Sequence, residues 1–132
     1  MTSKLVLDNL AGRTTAGSIA VVGEGNGTTT NLQQGLAKSW LNMNGQGTIA
    51  INDSFNIASI TDNGTGSYGA TVSNAMSNTY YVAAGEHSSN GSFSVNYRVL
   101  PSTTTVMVCY TQAGNAMEDA QTVTVLQGGD LA

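Results

Sequence analysis

The chain has 132 residues, and charged side chains make up 9% of them, against about 25% in an average protein. Thr, Ser, Asn and Gly take their place, with 17, 13, 13 and 16 residues. Four basic residues against eight acidic ones give a net charge of −4, which argues against nucleic acid and anionic membrane surfaces as partners.

The first elements are two apolar runs, residues 4–7 and 18–22, separated by a polar stretch. Leu5, Leu7, Ile19, Val21 and Val22 favour strands, in pieces too short to bury their own faces. The glycine-rich segment 23–30 reads as a flexible linker. Residues 1–30 are therefore expected to be an extended attachment arm, with those five side chains docking on another subunit. Residues 1–8 lack the apolar run of a signal peptide, and no stretch nears the roughly 18 apolar residues of a spanning helix. The expectation is a product made in the cytoplasm without membrane insertion.

Residues 31–43 are predicted to form one short α-helix, capped by Thr30 or Asn31 and rich in helix formers. At 100° per residue, Leu32, Leu36, Trp40 and Met43 fall on one narrow apolar seam. Such a narrow seam leans on a partner surface and is a candidate oligomer contact.

From residue 44 to 132 the pattern switches to a period of two. Strands are predicted around 48–51, 55–59, 68–72, 80–84, 93–99, 106–110 and 123–125, many separated by Asn-Gly or Gly-x-Gly turns. Phe93, Val95, Tyr97 and Val99 make the cleanest alternation. The fold expected is mainly β: an amino-terminal arm, one helix, then an antiparallel β-sandwich or small barrel.

Enzymatic signals are sparse. Gly23-x-Gly25-x-Gly27 lacks the Lys-Ser/Thr of a phosphate loop, and no Gly-x-Ser-x-Gly elbow occurs. His87 sits in a stretch, 85–91, that reads as a hairpin loop, and Cys109 lies in an apolar run as a buried thiol. One cysteine forms no internal disulfide, and the calcium-like Asp62-Asn63-Gly64-Thr65-Gly66 lacks the later acidic ligands. Adjacent Tyr80 and Tyr81 should face opposite sides of a strand, one in the core and the other available to stack on a sugar or a neighbouring chain. No catalytic residues, metal or cofactor are expected.

Two stretches carry a resemblance. Residues 37–51, with Trp40-Leu41-Asn42-Met43-Asn44-Gly45-Gln46-Gly47, and residues 53–68, with Asp53-Ser54-Phe55-Asn56-Ile57 and Asn63-Gly64-Thr65-Gly66-Ser67-Tyr68, resemble a recurring module of tail-fibre and appendage proteins of tailed bacteriophages. Residues 14–19 and 31–36 are similar to what precedes that module. The resemblance implies a virion structural protein, commonly trimeric, without enzymatic activity. Long fibre proteins carry a large amino-terminal attachment region, whereas about thirty residues precede the helix here. The expectation is thus a short tail fibre or fibre-like appendage, contacting other virion proteins and a host-surface glycan. The alternatives are a capsid decoration protein clipped to the head by its arm, and a free carbohydrate-binding module.

Overall fold

Period-two patterning becomes two antiparallel sheets packed face to face. The computed structural model describes residues 4–13, 19–22, 27, 29–89, 92–94, 97–101, 103–113 and 116–132. Two units are distinguished, Met1–Leu36 and Ala37–Ala132.

In the first unit, β1 (Ala20–Val22) pairs antiparallel with β2 (Thr29–Asn31), and α1 (Leu32–Gly35) follows at once. The ribbon corrects part of the arm expectation. Val21 and Val22 already have a strand partner within the chain, and Thr29 and Thr30 belong to that partner rather than to a linker. Residues 23–26 and 28 of the predicted linker lie outside the described residues. Asn31 caps α1, its side chain accepting from Gln34 N at 3.2 Å, and Leu36 is already extended.

The helix expected over 31–43 is therefore one turn long. Nucleating a helix is costly, and nothing downstream sustains this one. Residues 39–44 instead form β3 (Ser39–Asn44), in which Ser39, Leu41 and Met43 are buried and Trp40, Asn42 and Asn44 are half-buried. Strand partners on both sides satisfy its backbone, and that tertiary gain overrides local helix preference.

The second unit places hairpins alternately in two sheets. β3 and β4 (Ala50–Phe55) open the first sheet, and β5 (Ile57–Asp62) and β6 (Ser67–Val72) open the second. Then β7 (Val82–Ser89) and β8 (Ser92–Ser94) return to the first. β9 (Tyr97–Pro101), β10 (Val106–Ala113) and β11 (Ala116–Met117) join the second, and β12 (Thr122–Gly128) closes the fold between β3 and β7. The first sheet has the order β4-β3-β12-β7-β8. In the second, β10 lies between β6 and β9 and also pairs with β11.

Two predicted strands are split by this topology. The run 55–59 breaks at Asn56, whose φ of 58° turns the chain from the first sheet into the second. Asn tolerates that left-handed conformation, and its side chain secures the corner. Its Nδ2 donates to Lys38 O at 3.0 Å, and its Oδ1 accepts from Asn74 N at 2.7 Å. The run 93–99 likewise divides between β8 and β9, which belong to different sheets.

Leu41, Met43, Val123 and Val125 from the first sheet meet Tyr68, Ala70, Met107 and Cys109 from the second, and Ala120 completes the cluster. Burying each large apolar side chain contributes roughly 1.5–3 kcal/mol. Polar contacts close both ends of β3. At its carboxyl end the Tyr68 hydroxyl donates to Gly45 O at 2.8 Å, while Asp119 Oδ1 accepts from Gly66 N at 2.8 Å. At its amino end Ser39 Oγ donates to Gln127 Oε1, and Lys38 N donates to Gln127 O at 2.8 Å.

Candidate functional site

The outer face of the first sheet carries a shallow groove of about 680 Å³ across β4, β3, β12 and β7. Register builds it in two rows. Phe55 pairs with Trp40, Trp40 with Leu126, and Leu126 with Ala84, giving an apolar row across four strands, with Phe55 at its outer end beyond the groove's lining. One step along, Asp53 pairs with Asn42, Asn42 with Thr124, and Thr124 with Glu86, giving a polar row. Directly paired residues share a sheet face, so the rows run side by side.

Local structure fixes the polar row. The register of β3 against β4 shifts between Asn42 and Met43, and Asn52 is the extra residue on β4. Its Nδ2 donates to Asn42 Oδ1 at 2.9 Å. Ser54 N donates to Asp53 Oδ1 at 2.8 Å, and Thr124 Oγ1 donates to Glu86 O at 3.2 Å. The groove walls hold two carboxylates and, among the described residues, no lysine or arginine. Its chemistry is thus hydrogen bonding beside an aromatic and aliphatic surface, under negative potential.

The structure disperses the expected oligomer seam. Leu32 belongs to α1 and Leu36 is exposed just after it, both in the first unit. Trp40 and Met43 lie on opposite faces of β3: Trp40 lines the groove, and Met43 is fully buried in the core. Helical spacing aligned these four residues on paper, and strand geometry separates them. The predicted docking side chains Leu5, Leu7, Val21 and Val22 are exposed, and Ile19 is half-buried, its carbonyl accepting from Leu32 N at 2.9 Å.

His87 is not in a loop. It occupies β7, alternates with outward Glu86, and is buried. Cys109 is buried as expected, its thiol 3.5 Å from Tyr68 O. Tyr80 and Tyr81 precede β7 rather than lying on the strand expected at 80–84, yet Tyr81 is buried and Tyr80 is 91% exposed. The Tyr68 hydroxyl is pushed up to about 12, first by burial and then by the Asp119 charge, against the opposing Ala120 N–H. The Asp62 carboxylate, within the calcium-like motif, caps its own turn by accepting from Gly64 N at 2.8 Å.

Sequence reasoning singled out Trp40 for the wrong geometry and missed Asn42, Asp53, Glu86 and Thr124. The alternation of Trp40 and Asn42 with Leu41 and Met43 was the available signal. The rows themselves exist only through cross-strand register. No protein-family model, curated protein or solved structure matches the chain.

Proposed function

We propose that this chain is a structural component of a tailed-bacteriophage virion, a short tail fibre or fibre-like appendage whose sandwich meets a host-surface glycan. The observation that carries this reading is the contrast between the two units. The sandwich has its own core, whereas Leu5, Val6, Leu7, Leu10, Val21, Val22 and Leu36 of the first unit are exposed. Apolar side chains left outside a core gain stability by covering on a partner, as particle subunits do. The proposed assembly is a homotrimer attached to other virion proteins through this unit.

The same reading makes the chain a binder rather than a catalyst. Asp53 and Glu86 stand three strand spacings apart, about 14 Å along the sheet, beyond the roughly 5–9.5 Å of paired glycosidase carboxylates. His87 is shielded from substrate by burial.

Deleting residues 1–36 tests the assignment. The remaining sandwich is expected to keep its β-sheet circular dichroism and cooperative melting, and to be lost from purified particles. Normal incorporation would overturn the attachment role. Image reconstruction of intact particles would separate a tail position from a capsid decoration.

A further inference from the structure

We propose that the outer face of the first sheet binds an uncharged oligosaccharide, with Trp40 as the stacking platform and the Asp53–Asn42–Thr124–Glu86 row as the hydroxyl-recognising edge. This deepens the reading above, since it rests on the sandwich meeting a glycan. It names the face, the residues and the ligand chemistry.

Three observations converge. The first is the side-by-side placement of an apolar and a polar row. A pyranose has one face of C–H groups and an equatorial rim of hydroxyls, so it needs both surfaces at once. Phe55 and Leu126 are 53% and 51% exposed on either side of Trp40, an apolar surface that a folded chain ordinarily covers. The electron-rich ring face attracts polarised C–H groups as it attracts cations.

The second observation is preorganisation. Asn42 is held through its Oδ1 by Asn52, and Asp53 through its Oδ1 by Ser54 N. Among the described residues, neither Asn42 Nδ2 nor Asp53 Oδ2 has a protein partner, so one donor and one acceptor remain for a ligand. A side chain already held by a neighbour loses less freedom on binding.

The third is charge. Two carboxylates and no lining cation repel sialic acids, uronic acids and phosphorylated sugars, while accepting hydrogen bonds from neutral hydroxyls. The polar row crosses four strands spaced about 4.8 Å apart, which is longer than a single ring. An oligosaccharide therefore fits it better than a monosaccharide. The same apolar row would also suit a second copy of this chain, and the experiment separates the two.

Trp40 is the chain's only tryptophan, so intrinsic fluorescence reports on the site directly. The full-length protein is titrated with a panel of neutral trisaccharides (gluco-, manno-, galacto- and N-acetylglucosamine-based) and with sialyllactose and trigalacturonate. At least one neutral sugar is expected to shift the Trp40 emission saturably, with the acidic sugars at least tenfold weaker. Trp40→Ala, followed by calorimetry, should lose tenfold or more in affinity, and Asp53→Asn should weaken binding while keeping the fluorescence shift at saturation. If Trp40→Ala fails to fold, Asp53→Asn and the wild-type emission decide alone. No response to any neutral sugar, a preference for acidic ones, or a Trp40→Ala variant that falls from oligomer to monomer would each overturn the proposal. Particle incorporation of the Trp40→Ala variant tests the virion role separately: its loss would implicate the sandwich in attachment, whatever the sugar result.

Discussion

Along β3 and β12 one backbone carries two surfaces of opposite consequence. The inner one holds Leu41, Met43, Val123 and Val125, none more than 3% exposed. The outer one holds Trp40, Asn42, Thr124 and Leu126, which contribute to the groove. A one-residue slip would exchange the two sets, so core packing strongly specifies the register. Register then aligns the outer rows. The side chains that build the site are thus positioned by a register that the opposite face sets.

The sharpest way to break this contrast is to place the same charge on adjacent residues. Met43→Asp buries a carboxylate with no counterion and should cost several kcal/mol, a large part of the roughly 5–15 kcal/mol that a domain possesses. Cooperative melting by circular dichroism should vanish. Asn42→Asp puts that charge on the half-buried outer face, directly opposite Asp53, and should cost far less, about 1 kcal/mol. Equal losses would mean the two faces of β3 are not distinct.

That contrast also explains what was legible in the sequence. Where polar and apolar residues alternate, as at 68–72 and 123–125, the pattern marks a strand, and the unbroken apolar run 106–110 marks one by its β-forming composition. In β3 the outward Trp40 is apolar, so it merges with Leu41 and Met43 into a run that suits a helix as well as a strand. Asn56 hid a corner because its neighbours Phe55 and Ile57 keep the alternation going through it. Gly85, Ser88 and Ser89 around His87 suit a loop by composition, yet β12 pairs along that stretch. The groove was least legible of all: its two rows draw on positions spread from 40 to 126, and only pairing brings them together.

Turn glycines repeat the contrast. Gly47 and Gly66 have nearly the same left-handed backbone, with φ of 62° and 64°. A Cβ at Gly47 would meet open space, whereas one at Gly66 would lie 2.6 Å from Thr111 O and 2.7 Å from Glu118 O. Gly47→Ala should cost about 1–2 kcal/mol from backbone conformation alone. Gly66→Ala should cost clearly more, because backbone atoms cannot move aside, and denaturant melts of both variants would measure the difference.

Two tyrosines extend it to pH. Tyr68→Phe removes the donor to Gly45 O and should cost about 1–3 kcal/mol, while Tyr80→Phe, on an exposed ring, should be silent. The folded-state value of Tyr68 is about 12 and the unfolded value about 10, so between these pH values the unfolded state binds fewer protons. Stability is fully present below pH 10 and falls as the pH rises towards 12. Tyr68→Phe should flatten that fall without abolishing it, because burial raises Tyr81 as well. An unchanged slope would place the Tyr68 hydroxyl in water.

A small effect is also expected at Leu126. It is larger than Val125 and equally apolar, and composition alone would rank it the more important of the two. Yet Val125 is 3% exposed, while Leu126 points into the groove and is half in solvent. Replacing Leu126 with Thr removes partly wetted surface, adds a hydroxyl that water satisfies, and introduces a β-branched residue suited to a central strand. The expected change is within about 0.5 kcal/mol, a shift of only a few degrees in melting temperature. Val125→Thr is nearly isosteric but desolvates its new hydroxyl, so it should cost more, about 1–3 kcal/mol. If Leu126→Thr proved the costlier change, Leu126 would be packed against something that covers the outer face, and the groove would not be free to receive a ligand.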